Sequence, residues 1–75
     1  MKIKNFTVIL KSEPEGGYTA ITPSLPGCVT YGATVEKAQE MAKDAIEGYV
    51  ASLRKHHEKV PEEQNVLLTS VFANA

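Results

Sequence analysis

Hydrophobic and polar residues alternate through the first part of the chain. Phe6, Val8 and Leu10 are separated by single residues, and a period of two places such a set on one face of a strand. The pattern predicts a first strand over residues 3–11. Pro14, Gly16 and Gly17 then favour a chain reversal, because paired glycines adopt positive φ at little cost.

Two further short strands and a long helix follow. Alternation predicts strands over residues 17–22 and 28–32, the second ending at Gly32. Thr34 is a natural N-cap, and the helix should end near His57 because Pro61 prevents its continuation. Its predicted apolar stripe, at spacings of three and four, comprises Val35, Ala38, Met41, Ala42, Ala45, Ile46, Tyr49, Val50 and Leu53.

The last stretch, "NVLLTSVFANA", predicts a fourth strand. Val66, Leu68 and Phe72 would lie on one face and Leu67 and Val71 on the other. The predicted order is therefore β-β-β-α-β, an α+β fold with an antiparallel-rich sheet and one helix packed on one face.

One helix cannot cover both faces of such a sheet. The predicted fourth strand is apolar on both faces, and the first carries Ile3 and Ile9 on its second face. Because the chain has no further element to cover that side, we expect a homodimer or larger assembly.

Composition narrows the class of protein. The 75 residues are 43% hydrophobic and 23% charged, with a net charge of -1, which is typical of one folded domain spanning residues 1–75. This charge gives no field that would attract nucleic acid or an anionic membrane. A single cysteine, no membrane-length apolar run and no signal peptide favour a cytoplasmic location.

Residues that could carry chemistry lack the neighbours that chemistry requires. Cys28 has no nearby base, Ser24 has no elbow motif or Asp/His pair, and His56 and His57 point about 100° apart on a helix. The predicted strands contain no acidic residue that could hold metals for a nuclease, and Gly16 and Gly17 match no phosphate loop. We expect no catalytic residue, no metal and no cofactor.

The segment "TPSLPG" predicts a stiff corner. Pro23 and Pro26 each fix one φ angle, and Gly27 can adopt a positive one. Gly32 and Thr34 complete the predicted structural corner by ending the third strand and starting the helix. A stiff exposed loop is also a good recognition surface, because binding it costs little entropy.

These motifs together resemble the HicB-like antitoxin family over residues 4–72. Members run from a G-Y/F strand through a P-x-L-P-G-C corner and a T-x-G-x-T segment into an E-A-x-x-x-A helix, followed by a proline. The matching residues here are Gly17, Tyr18, Pro23, Leu25, Pro26, Gly27, Cys28, Thr30, Gly32, Thr34, Ala38, Ala42 and Pro61.

The resemblance implies a partial ribonuclease-H-like fold and an antitoxin role. The partner would be a HicA-type, RNA-cleaving toxin whose active surface the antitoxin covers, and members usually assemble as dimers or tetramers. Many relatives have Asp where this chain has Ser24, so a polar contact there is open. Larger members add a DNA-binding module that this chain is not expected to contain, so DNA binding is not expected from this chain alone.

For the partner surface the sequence suggests residues that combine partial exposure with aromatic or rigid character. They are Tyr18, Leu25, Pro26, Tyr31 and His57. The alternative is an orphan domain without a toxin, which would self-assemble or bind a small ligand.

Overall fold

A three-stranded sheet and one helix make up the fold. The computed structural model describes residues 4–62 and 67–75, with strands β1 (Ile9–Ser12), β2 (Tyr18–Ile21) and β3 (Val29–Gly32) followed by helix α1 (Val35–Lys55). Both strand pairs are antiparallel and the spatial order is β1-β2-β3. The α+β class, with an antiparallel sheet and one helix, is confirmed.

Glycines close the hairpin between β1 and β2. Gly16 and Gly17 adopt φ of 106° and 78°, which is the left-handed region that a side chain disfavours. The Glu13 amide donates to the Gly17 carbonyl at 3.0 Å, and the Gly16 amide donates to the Glu13 carbonyl at 3.0 Å. This turn fixes a register in which Ser12 lies opposite Tyr18.

Helix α1 is capped at both ends. The Thr34 hydroxyl accepts a hydrogen bond from the Lys37 amide at 3.0 Å, as the sequence predicts. At the other end His57 has φ 57°, and the amides of His57 and Glu58 donate back to the carbonyls of Arg54 and Leu53. This pair of bonds is a Schellman motif, which satisfies the last carbonyls of the helix.

The core between helix and sheet is built from small residues. Its fully or nearly buried members are Ala20, Leu25, Cys28, Ala38 and Ala42. Gly32 is also buried, and a Cβ placed on it would lie 2.6 Å from the carbonyl carbon of Lys37. Small side chains let the helix backbone approach β3 closely, and the helix contacts β3 and β2.

Two strand predictions need correction. The β1 ladder begins at Ile9, not at residue 3, and Ile3 lies outside the described residues. The predicted fourth strand is wrong for residues 67–75, which pair with no strand among the described residues, and Val66 lies outside them. A strand needs a neighbour for its backbone groups, and alternation alone does not supply one. The ribonuclease-H-like relationship therefore stays a prediction.

The close approach at Gly32 predicts opposite effects for two glycine substitutions. Gly32→Ala should lower the free energy of unfolding by about 1–3 kcal/mol, because the added methyl group forces the helix away from β3. Gly48 lies within helix α1, and a Cβ added there has nothing within 4 Å. Gly48→Ala should therefore raise the free energy of unfolding by about 0.5–1 kcal/mol. Urea denaturation measures both, and a neutral Gly32→Ala contradicts the packing described.

Candidate functional site

The corner between β2 and β3 consists of two consecutive turns. The Leu25 amide donates to the Thr22 carbonyl at 3.1 Å, and the Cys28 amide donates to the Leu25 carbonyl at 3.0 Å. Each turn has a proline at its second position. Gly27, the third residue of the second turn, has φ 81°, which is the conformation that a type II turn requires there.

Three contacts hold this corner to the body of the protein. The Thr22 amide donates to the Cys28 carbonyl at 3.1 Å and closes the base of the loop. The Leu25 side chain is completely buried and anchors the loop from inside. The Tyr49 hydroxyl of helix α1 donates to the Pro26 carbonyl at 2.8 Å. The exposed residue Pro26 is therefore presented on a loop whose conformation is fixed before any partner binds.

The sheet face that the helix leaves uncovered is a second exposed feature. Residues directly opposite in a ladder share a face, so the pairs Ile9–Ile21, Lys11–Thr19, Thr19–Tyr31 and Ile21–Val29 lie together. The helix side carries Ala20 and Gly32 instead. We call the uncovered side, made of Ile9, Lys11, Thr19, Ile21, Val29 and Tyr31, the open face.

The open face is apolar around β3 and polar toward the hairpin. Val29 and Tyr31 are 55% and 52% exposed. Near them the Thr19 hydroxyl donates to the Glu13 carboxylate at 2.6 Å. Single exposed apolar residues are ordinary, but adjacent ones on an uncovered sheet are typical of a protein-binding surface.

Tyr31 is held in place by the hairpin. Its hydroxyl donates to the Gly16 carbonyl at 3.0 Å, and its ring lies where a Cβ of Gly17 would be, 2.7 Å from the ring atom Cε1. Gly17 is favoured by its positive φ, and a side chain there would displace the Tyr31 ring. A preordered, half-exposed aromatic ring is a common anchor in interfaces.

The five residues suggested from sequence are not on one surface. Pro26 is exposed in the corner, and Tyr31 lies on the open face. Tyr18 precedes Thr19 in β2 and therefore lies on the opposite face of the sheet. His57 is exposed beyond the end of the helix. Leu25 has no exposed surface, so we assign it to the core and leave it out of the candidate site.

Sequence reasoning missed the contribution of Val29 and Ile21 to the open face. The signal was present, because Val29 is two residues from Tyr31 and so lies on the same side of β3. What the sequence could not tell is which side the helix would cover.

A groove beside β1 is the third feature. It lies between the residues that precede β1 and the second half of helix α1, and has a volume of about 910 Å³. Phe6, Val8, Ile46 and Val50 supply most of its apolar lining. We call it the side groove. Lys4, Lys43, Glu47 and Arg54 also line it.

The thiol of Cys28 and the ring of His56 both have structural surroundings. The Cys28 thiol is free and buried. The His56 ring nitrogen Nδ1 lies 2.8 Å from the Ser52 carbonyl and so completes the helix end. Within residues 4–62 and 67–75 no three His, Cys, Asp or Glu side chains are placed to hold a metal ion. Over the same residues no helix has the length and apolar character needed to cross a membrane.

Comparison with known proteins agrees with the resemblance seen in the motifs. The model of the HicB-like antitoxins of bacterial toxin-antitoxin systems matches residues 6–73. A UPF0150 protein of Thermoplasma acidophilum is 43% identical over 58 residues, which cover 77% of this chain and 84% of that protein. A UPF0150 protein of Synechocystis is 42% identical over 66 residues, covering 88% and 84% of the two chains.

One relative, whose name states a function, is a longer protein than this chain. Antitoxin HicB 1 of Photorhabdus laumondii is 39% identical over 61 residues. These residues cover 79% of this chain but only 39% of that protein. The similarity therefore concerns one part of the longer protein.

The hydrogen bond from Tyr49 to the Pro26 carbonyl predicts a local effect of removing the Tyr49 hydroxyl. Tyr49→Phe should lower the free energy of unfolding by about 0.5–1.5 kcal/mol and speed hydrogen exchange at the Cys28 amide, which closes the second turn. Tyr31→Phe makes the same chemical change at the hairpin and should leave exchange at Cys28 unaltered. If both variants speed this exchange equally, or if neither speeds it, Tyr49 does not hold the corner in this way.

Proposed function

Because the chain belongs to the HicB-like antitoxin family, we propose that it acts as an antitoxin that binds a HicA-type, RNA-cleaving toxin and covers its active surface. The observation that supports this most directly is the family match over nearly the whole chain. The structure supports a binding role with two preordered exposed features, the corner and the open face.

In this proposal the toxin binds the open face, with Tyr31 and Val29 at the centre and Pro26 at its corner end. Tyr31 is held by a hydrogen bond at 3.0 Å and Pro26 by the Tyr49 contact at 2.8 Å, so little conformational freedom is lost when a partner binds. Tyr18 and His57 lie off this face, and their contact with a partner stays a prediction.

The protein neutralises by binding and not by catalysis. Its thiol is buried, and the His56 ring is directed at a backbone carbonyl, so neither is presented to a substrate. The place of action that we propose is the cytoplasm, where the RNA substrate of such a toxin lies.

We also propose that the protein self-associates as a homodimer or homotetramer. Leu67, Leu68, Val71 and Phe72 are 73–107% exposed. So many large apolar side chains in one short segment are costly to leave in water, since each loses roughly 1.5–3 kcal/mol of burial energy. Association with further copies removes this exposure.

The toxin partner is tested by inhibition. Purified chain, titrated into a purified HicA-type toxin, should abolish RNA cleavage as the molar ratio approaches equivalence. Tyr31→Arg and Val29→Arg should raise the concentration needed for half-inhibition at least tenfold, because each buries a charge in the proposed interface.

Ser52→Arg is the matched control. It adds the same charge at an exposed position of helix α1, on the side of the sheet away from the open face, and should inhibit like the unmodified chain. Failure of the unmodified chain to inhibit contradicts the antitoxin role and favours the orphan domain. Full inhibition by Tyr31→Arg contradicts the choice of surface.

Sedimentation velocity at about 10 µM and about 50 µM tests self-association, because association depends on the concentration of the chain. The unmodified chain should sediment with at least twice the mass of one chain. Leu68→Gln combined with Phe72→Gln should shift it toward the monomer, whereas Met41→Gln, which alters a 42% exposed helix residue, should not. An unmodified chain that stays monomeric at both concentrations contradicts the proposed self-association.

A further inference from the structure

The segment of residues 67–72 is apolar on both sides and lies away from the body of its own chain. Phe72 is 107% exposed and Leu67 is 90% exposed. The radius of gyration is 14.3 Å, against roughly 11 Å for a compact domain of this length. The segment therefore projects as an arm.

In the part of the chain that the structure describes, the sheet and helix offer an unpaired strand edge and a groove that could receive such an arm. Strand β1 is an edge of the sheet and pairs only with β2 among the described residues. The side groove begins where the chain enters this strand, between residues 4–8 and helix α1, and is lined by Phe6, Val8, Ile46 and Val50. An open strand edge next to an apolar groove is suited to the addition of one more strand.

We propose that residues 67–72 of one copy add as a strand to the β1 edge of a second copy and fill its side groove, with the second copy doing the same in return. This inference rests on the self-association in the proposed function and names the contact that makes it. Such a reciprocal exchange has twofold symmetry and leaves neither arm exposed.

The alternation within the arm agrees with this place. Leu68 and Phe72 share one side of a strand, and Leu67 and Val71 share the other. Added beside β1, one pair points into the side groove under the helix. The other pair then extends the open face next to Ile9. In this position both apolar sides of the segment gain apolar neighbours.

Charge favours a second copy over the toxin as occupant of the side groove. Lys4, Lys43 and Arg54 outnumber Glu47 among the charged residues that line it. A protein that cleaves RNA needs positive charge to bind phosphates, and this lining repels such a protein. Residues 67–72, LLTSVF, carry no charged side chain and meet no repulsion.

Cysteine cross-linking between two differently tagged chains tests the exchange. In a Cys28→Ser background, one chain carries Val8→Cys in the side groove, and the other carries a cysteine at one of positions 67, 68, 71 or 72. Mild oxidation after the chains are mixed, unfolded and refolded together should give a covalent heterodimer for the arm positions on one side. Because a disulfide needs Cβ atoms about 3.5–4.5 Å apart, the other side should cross-link several-fold less.

The matched control replaces Val8→Cys by Glu36→Cys, at an exposed position in the first turn of α1, and should give no heterodimer. A third chain carrying both Val8→Cys and an arm cysteine reports contact within one molecule. An internally cross-linked monomer, with no heterodimer from the mixture, overturns the proposal, since the arm then folds onto its own sheet. Absence of any cross-link at all four arm positions overturns it too.

Two further measurements separate this inference from the proposed function. Sedimentation of the Cys28→Ser chain shows whether copies associate even if the arm is not exchanged. Its inhibition of the toxin shows whether the antitoxin role survives. A dimer that inhibits the toxin but forms no arm cross-link rejects the exchange and leaves the proposed function intact.

Discussion

The contact between Gly32 and the first turns of helix α1 sets the distance between the helix and the sheet. A Cβ at Gly32 would overlap the backbone at Lys37 and Ala38, so the helix axis can lie this near to β3 only over a glycine. Ala38 and Ala42 continue the close approach along the helix. Because packing in a protein interior leaves little free space, this close approach holds the helix over β3 and β2.

The helix covers β2 and β3 on one side only, and two apolar surfaces follow from that. One is the open face, where Val29 and Tyr31 are about half exposed. The other is the side groove, between residues 4–8 and the second half of helix α1. A small domain buries only about 60% of its unfolded surface, so association is an effective way to cover what remains. The function proposed for this member of an antitoxin family assigns binding to these uncovered surfaces.

The corner shows how so small a protein can present a rigid loop. Its prolines restrict φ, Gly27 supplies the positive φ of the second turn, and buried Leu25 fixes the loop from inside. The Tyr49 hydroxyl then ties the loop to the helix from outside. Sequence reasoning identified the stiffness of this corner but treated Leu25 as a contact residue, because the pattern does not show which way a loop side chain points.

Sequence patterns were enough to predict the α+β class, the helix with its Thr34 cap, the hairpin and the corner. Each depends on neighbours within a few residues: periodicity, capping and turn residues act locally. These patterns did not determine whether residues 67–72 join the sheet, that Tyr18 and Tyr31 lie on opposite faces, or that Leu25 is buried. Those depend on which strand supplies hydrogen bonds and where the helix packs, and a local pattern carries no information about such contacts between distant residues.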